Sequence, residues 1–286
     1  MSVNVNIPHK GQKLDFEALL KSLADTGLGL VVNDLSENHV QFYLNKISTR
    51  PIDITLEDDG TYEVRTTTMA SLEDYRLFSE TVGRVISMLD SYGLYEGDPD
   101  EKFQDAPAYL NDDWIKEHSE SDYRVTTAMA FHDSTTPGKG SEIGLFGPVN
   151  MFYIGKRLLS ELKIELNTPY EDGFPKLIER FRYTQYSHPW DIRITSDRLR
   201  IKSQEEGGKD KSVTCFARGD YDMITKADYI AIEVSKGNLL LLDYDNFIKI
   251  APKEWERIDD SQYMVKDLSD SQWEEFISRA EKFNEM

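Results

Sequence analysis

The sequence predicts an α+β fold made of two antiparallel-sheet units, each with packed amphipathic helices. Short segments in which apolar and polar residues alternate are concentrated at 28–67 and 191–244, and such alternation is typical of antiparallel strands. An amphipathic helix with a capping signal follows each group, beginning after Ser71 and after Ser269. Apolar residues make up 39% of the 286 residues, which is enough for a buried core without a cofactor or a disulfide.

The first unit is predicted to span residues 1–95. Its first helix begins after Asp15, which is a favourable N-cap residue, and ends at Gly27. Its last helix begins after Ser71, which forms a capping box with Asp74. Between the helices we expect a β meander with a tight turn at Asp58-Asp59-Gly60. The four expected strands are LGLVV (28–32), HVQFYLN (39–45), PIDITLE (51–57) and TYEVRTT (61–67).

Residues 96–122 are predicted to form an acidic connection between the two units. The segment contains Pro99 and Pro107 and lacks a long hydrophobic period, so we expect one short helix in it, around 112–118.

The second unit is predicted to span residues 123–286. It begins with a strand at 123–132, followed by helices from Pro148 to about Leu166 and over 171–186. The terminal helix begins after Ser269, with Gln272 as the partner in its capping box. The expected strands between these helices are DIRIT (191–195), RLRIKS (198–203), SVTCFA (212–217), ADYIAIEV (227–234) and NLLLLDY (238–244).

The chain is strongly acidic. Its 52 Asp and Glu residues exceed its 33 Lys and Arg residues, for a formal net charge of −19 at pH 7. Such a balance argues against nucleic acid or an anionic lipid surface as the main partner, because both are negatively charged. It leaves a basic protein or a cation as the partner.

The charge is distributed unevenly along the chain. Residues 94–123 contain ten acids and two bases, and residues 243–286 contain twelve acids and six bases. Residues 155–202 reverse this balance, with ten bases and seven acids. The sequence therefore predicts two acidic regions flanking a basic one.

These regions supply the predicted binding residues. In the basic region, alternation along an expected hairpin places four cations on one sheet face, with an aromatic ring nearby that can stack on a ligand. This face can bind an anionic group, or it can pair with the chain's own acidic segments. The cationic candidates are Arg193, Arg198, Arg200 and Lys202, with Trp190 as the stacking residue. The acidic candidates are Asp98, Asp100, Glu101, Asp112 and Asp113.

The sequence contains no signal for export or membrane insertion. Its first twenty residues lack a basic start followed by an apolar run, and its longest apolar stretches are far shorter than a membrane span. The single cysteine, Cys215, cannot form an internal disulfide, which fits a reducing compartment. We therefore expect a cytoplasmic protein without a membrane segment and without a cofactor. Its oligomeric state is left open.

Catalytic patterns are few. Asp220 with Asp222, and Asp243 with Asp245, would each place two carboxylates on one face of an extended chain, as metal-assisted transfer or hydrolysis requires. His132 is the histidine best placed for a general base, since Asp133 follows it. The histidines and the cysteine show no zinc-type spacing. An enzyme is therefore the alternative hypothesis, and a protein without catalytic activity the preferred one.

Three segments carry a family resemblance. They are STRPIDITLEDDGTYEVRTTTMASLEDYRLF (48–78), ADYIAIEV with NLLLLDYDNFIKIAP (227–252), and LSDSQWEEFISRA (268–280). Together they resemble a family of bacterial proteins of about this length that is catalogued only as a domain of unknown function. The resemblance implies a cytosolic bacterial protein without an assigned activity, and it carries over no catalytic residues.

The preferred functional hypothesis is a non-enzymatic binding protein. Its acidic surface would meet a basic protein partner, as an inhibitor or an immunity-type protein does when it covers a basic toxin or nuclease. Concentrated charge speeds the encounter of two proteins and selects between partners.

Overall fold

The computed structural model confirms the α+β fold class. It describes residues 2–9, 11–24, 27, 29–132, 142–187 and 210–284, together with the backbone of 199–201. Helices and antiparallel sheets occur in both parts of the described chain. None of the described helices combines the length and the apolar character needed to cross a bilayer.

The chain divides into two compact units, Met1–Ser187 and His188–Met286. This division differs from the predicted one, which placed the boundary in the acidic connection at 96–122. That segment instead belongs to the first unit, where Phe103, Ala106, Leu110 and Ile115 are part of the main core. Buried apolar residues at these positions tie the segment to the first sheet and its helices.

The first unit contains a seven-stranded antiparallel sheet in the order β2-β3-β4-β5-β1-β6-β7. Its strands are β1 (Val3–Pro8), β2 (Leu30–Leu35), β3 (His39–Leu44), β4 (Ile52–Leu56), β5 (Thr61–Thr66), β6 (Gly93–Tyr95) and β7 (Asp98–Phe103). The predicted strands at 39–45, 51–57 and 61–67 are confirmed within one residue at each end. The turn between β4 and β5 contains Gly60 at a φ of 81°, in the left-handed region that favours glycine.

The helices of this unit are α1 (Phe16–Ala24), α2 (Leu72–Leu89), α3 (Ala106–Tyr109), α4 (Asp112–His132), α5 (Lys156–Glu161) and α6 (Tyr170–Tyr186). Buried residues of α1, α2, α3 and the start of α4 share one core with the seven-stranded sheet, whereas those of α5, α6 and the rest of α4 form a separate core with residues at 143–154. The predicted capping box at the start of α2 is confirmed, since Ser71 accepts from the backbone N–H of Asp74 and the Asp74 carboxylate accepts from that of Ser71. A separate hairpin consists of β8 (Ile143–Phe146) and β9 (Met151–Ile154).

Two local predictions in this unit differ from the structure, and one strand was not predicted. Residues 123–132 are helical rather than extended, because Tyr123, Thr126, Thr127 and Ala130 are buried at helical spacing on α4. The helix expected from Pro148 is instead a turn and a strand, with helix α5 beginning only after Gly155. Strand β1 was not predicted, although its alternating sequence VNVNIP matches its alternating burial.

The described part of the second unit contains two small sheets and two α-helices. The four-stranded sheet has the order β10-β11-β13-β14, with β11 and β13 parallel, and the three-stranded sheet has the order β12-β16-β15. The strands are β10 (Leu199–Ile201), β11 (Lys211–Ala217), β12 (Met223–Thr225), β13 (Tyr229–Ser235), β14 (Asn238–Asp243), β15 (Glu256–Arg257) and β16 (Gln262–Met264). The helices are α7 (Tyr244–Ile250) and α8 (Asp270–Ala280), and α8 has the capping box predicted for Ser269 and Gln272.

The core of the second unit is rich in aromatic side chains. Phe216, Phe247, Trp255 and Phe276 are buried together, and the ring centroids of Trp255 and Phe276 lie 5.3 Å apart. Clustered aromatic rings bury a large apolar area for few residues. This explains how a unit of modest size acquires a core of its own.

Candidate functional site

The predicted acidic segment places most of its carboxylates at the surface of the first unit. Of the ten acids in 94–123, eight are exposed, Glu120 is half-buried and Asp122 is buried. We refer to the eight exposed acids as the acidic surface. They are Glu96, Asp98, Asp100, Glu101, Asp105, Asp112, Asp113 and Glu117.

Strand β7 carries the centre of the acidic surface. It is the last strand of the seven-stranded sheet, and its first five residues are exposed. Its last residue, Phe103, is buried against Gly93 of β6, where a Cβ would lie 2.5 Å from the phenylalanine ring. Gly93 therefore lets Phe103 anchor β7 to the core while the acidic side chains face the solvent.

Two stacked aromatic rings join β7, which carries part of the acidic surface, to α3. The rings of Phe103 and Tyr109 are parallel, with centroids 4.3 Å apart. Burial raises the pKa of the Tyr109 hydroxyl, and the nearby carboxylates of Glu101 and Asp98 raise it further. Glu101 and Asp98 of β7 therefore both lie near Tyr109 of α3.

Trp114 connects the start of α4 to the rest of the unit. Its ring packs against Tyr75 and Phe78 of α2 and Tyr95 of β6, with centroids 5.8–6.4 Å apart, and stacks on His118 at 3.8 Å. The Tyr95 hydroxyl is 2.7 Å from His118 Nε2, while His118 Nδ1 is 2.9 Å from the Trp114 carbonyl oxygen. These contacts hold the acids at the start of α4 in fixed positions.

A groove runs beside the acidic surface, between α2 and α3. It consists of two shallow, open depressions of about 530 Å³ each that share Glu80 and Pro107 in their walls. Asp105 lines one depression and Asp112 the other, so the groove adjoins the acidic surface at these two residues. Gly83 allows the close approach of α3, because a Cβ there would already lie 3.3 Å from Pro107 Cδ.

The cations near the groove are paired with acids. Arg84 and Glu80 are joined at 2.5 Å on α2, and Arg76 is joined to Asp112 at 3.1 Å. Of the two bases within 94–123, Lys102 lies over the ring of Tyr92, 4.5 Å from its centroid. Local cations therefore compensate only part of the acidic surface.

Asp122 is the exception among the acids of this segment. Its Oδ2 accepts hydrogen bonds from the Tyr75 hydroxyl at 2.7 Å and from the backbone N–H of Met69 at 3.1 Å. Burial nevertheless raises the pKa of its carboxyl group. The role of Asp122 is therefore structural, and it does not belong to the acidic surface.

A second buried carboxylate lies in the same part of the core. Asp74 Oδ2 accepts from the backbone N–H groups of Ser71, Thr49 and Arg50. Burial raises the pKa of the Asp74 carboxyl group. Burial also lowers the pKa of the Arg50 guanidinium to about 10, although the negative charges of Asp74 and Asp122 act to raise it. Arg50 donates to the carbonyl oxygens of Thr68 and Phe146.

The basic candidates are mostly outside the described residues. Trp190, Arg193, Arg198 and Lys202 lie there, as does the predicted strand at 191–195. Arg200 is on β10, where its backbone is opposite Ser212 of β11.

The acidic region at 243–286 is less exposed than the sequence indicated. Asp259 and Asp260 are buried, and Asp260 Oδ1 lies 3.3 Å from an Arg257 nitrogen. Asp270 pairs with Arg218 at 2.9 Å. Seven acids of this region are exposed, so the described residues carry exposed acids in both units.

The residues of the enzymatic alternative have ordinary structural surroundings. Asp243 is the N-cap of α7, since its Oδ1 accepts from the backbone N–H of Asn246 at 2.7 Å. His132 is exposed at the end of α4, and Asp245 is exposed in the first turn of α7. Within the described parts of the chain, no group of three or more His, Cys, Asp or Glu side chains is placed to hold a metal ion. Cys215 is partly buried on β11, and burial raises the pKa of its thiol.

Comparison of the chain with protein-family models, with curated proteins and with solved structures gives no match. The site is therefore interpreted from its own geometry.

Proposed function

We propose that this protein binds a basic protein through the acidic surface and that it acts as a binding protein of the inhibitor or immunity type rather than as an enzyme. The observation that carries the proposal is the exposure of eight carboxylates in the turn before β7, on β7, just before α3, and in the first turns of α4. Aromatic residues anchor the backbone next to several of these acids, so the backbone there loses little conformational freedom when a partner binds.

The charge balance supports a cationic partner. Exposed like charges concentrated on one surface create a potential that attracts the opposite charge and speeds encounter, and salt weakens this attraction. Single exposed ion pairs contribute little, so binding requires several of these acids to act together. The adjoining shallow groove gives the partner a further surface against which its side chains can pack.

The experiment compares the wild-type chain with two variants that each lose four negative charges. The surface variant combines Asp98→Asn, Asp100→Asn, Glu101→Gln and Asp113→Asn. The matched control combines Glu17→Gln, Glu165→Gln, Glu274→Gln and Glu275→Gln, at exposed acids outside the acidic surface. Each protein is titrated with an oligolysine peptide at low and high salt, and is then used to capture basic proteins from a cell lysate.

We expect the surface variant to bind oligolysine about tenfold more weakly than wild type, since it loses several weak ion pairs together. The matched control should retain most of the wild-type affinity. A basic protein that wild type captures from the lysate should also be captured by the control, but not by the surface variant. The proposal is overturned if oligolysine fails to bind the wild type at low salt, or if both variants lose affinity equally.

A further inference from the structure

Strand β14 is the outermost strand of the four-stranded sheet in the second unit. Among the described residues, β13 is the only strand hydrogen-bonded to it, and this pairing is regular from Leu239 to Asp243. The strand has the sequence NLLLLD, which is uncharged until its last residue. A regular strand edge without charge or proline is the kind that another extended chain joins most readily. A protein that left this edge open would be prone to self-association.

A segment that follows α8 covers the edge of β14. We refer to residues 281–284 as the edge cap, in which Glu281–Phe283 form a 3₁₀ turn that contacts β14. The Oδ1 atom of Asn284 accepts a hydrogen bond from the backbone N–H of Leu241 over 2.9 Å. Phe283 is partly buried against the core of the second unit. The Asn284 side chain therefore occupies the position in which a neighbouring strand would place a carbonyl oxygen.

Leu241 lies at the centre of the regular part of this edge. Alternate residues of an antiparallel strand direct their N–H and C=O groups to the same side. Because the Leu241 N–H points to Asn284 and not to β13, Leu239 and Asp243 also direct their backbone groups to the outer side. Two copies of β14 paired in antiparallel about Leu241 would place Leu241 opposite itself and Leu239 opposite Asp243. No like charges would then lie directly opposite each other.

We propose that the β14 edge is a self-complementary surface on which two copies of this chain can pair, and that the edge cap blocks this pairing. A twofold contact of this kind uses the same patch on both copies. The central donor of the pair would be the Leu241 N–H, which Asn284 holds, so capping and pairing exclude each other. The inference concerns the second unit and is independent of the acidic surface.

The experiment uses the full chain and two variants of the edge cap. The release variant combines Phe283→Ala with Asn284→Ala, which removes the apolar anchor and the hydrogen-bond acceptor. The matched control combines Glu281→Ala with Lys282→Ala, at exposed residues of the same segment, and neither variant changes the net charge. Amide exchange at Leu241 reports release of the cap, and sedimentation equilibrium reports self-association. Sedimentation is run at about 0.15 M salt, where screening limits the repulsion between two chains of net charge −19.

We expect the release variant to exchange the Leu241 amide about tenfold faster than wild type and to self-associate about tenfold more tightly, because the central donor becomes free to pair. The control should match wild type in both measurements. Adding Leu241→Lys to the release variant should return self-association to the wild-type level, since it places like charges directly opposite each other. Faster exchange without tighter self-association would contradict the proposal, as would unchanged exchange at Leu241. Self-association that survives Leu241→Lys would also contradict it, because the contact would then lie on another surface.

A second comparison leaves the Phe283 anchor in place. It is used if amide exchange also rises along β13, which would show that the release variant has lost its core packing. Asn284→Ala is then compared with Asn284→Asp, which keeps an acceptor oxygen for the Leu241 N–H. We expect faster Leu241 exchange and tighter self-association in Asn284→Ala alone, and equal behaviour of the two variants would rule out the edge cap.

Discussion

Tyr75 of α2 donates its hydroxyl proton to Asp122 Oδ2 of α4 over 2.7 Å, and both side chains are buried. The same carboxylate oxygen accepts from the backbone N–H of Met69, which has a φ of 66°. Asp122 thus links α4 to α2 and to the loop before α2. This link fixes the helix whose first turns carry part of the acidic surface.

The first prediction concerns this hydrogen bond. Tyr75→Phe should lower the free energy of unfolding by about 1–3 kcal/mol, because it removes a donor from a buried carboxylate. Tyr43→Phe is the matched control, since the Tyr43 hydroxyl is also buried but has no hydrogen-bond partner among the described residues. We expect the control to be neutral or slightly stabilising in urea unfolding. Equal losses in the two variants would contradict the role given to the Tyr75–Asp122 bond.

The second prediction concerns pH. Burial raises the folded-state pKa of Asp122 above its value in the unfolded chain, which is about 3.9. Between these two pKa values the folded state holds a proton that the unfolded state has released. Lowering the pH through this window therefore increases the stability contributed by Asp122, and raising the pH through it removes that contribution.

The measurement for this second prediction is the difference in unfolding free energy between wild type and Asp122→Asn as a function of pH. We expect the difference to shift in favour of wild type as the pH falls from neutral towards about 3.9. Asp74 is unchanged in both proteins, so its own titration largely cancels in the comparison. A difference that stays constant, or shifts the other way, would show that burial does not raise the pKa of Asp122.

The third prediction concerns the packing of α6 on α4. A Cβ at Gly173 would lie 1.8 Å from the Tyr123 hydroxyl, so Gly173→Ala should destabilise the first unit by about 1–3 kcal/mol. This loss is expected although alanine favours a helix over glycine by about 1 kcal/mol. Gly83→Ala in α2 is the comparison variant and should cost less, because its nearest contact is 3.3 Å and a shift of a few tenths of an ångström would relieve it. Thermal unfolding of both variants checks the prediction, and a more stable Gly173→Ala variant would refute it.

The candidate site was predicted in part from charge alone. Asp98, Asp100, Glu101, Asp112 and Asp113 are all exposed in the structure. Composition identified the acidic segment, but it could not identify β7 as an edge strand, because strand order depends on pairing between distant segments. The groove likewise depends on how α3 packs on α2.

The differences from the predicted elements have a common cause. Residues 123–132 contain Val125, Thr126 and Thr127, which favour strands, yet the burial of this segment on α4 follows a helical period. The segment around Pro148 matched a helix start, but the backbone N–H of Gly147 donates to the carbonyl of Asn150 in a hairpin turn. In both places tertiary contacts outweigh a weak local preference.

The sequence by itself determined the α+β class, the capping boxes at Ser71 and Ser269, the meander over 39–67 and the excess of acid in 94–123. Each of these follows from residues close together in the chain, where local hydrogen bonds and side-chain period decide the outcome. Only the tertiary structure decided that β1 lies between β5 and β6, that β7 is an edge, and that Asp122 is buried while its acidic neighbours are exposed. These features depend on contacts between distant segments, and burial of apolar surface selects among such contacts without leaving a local signal.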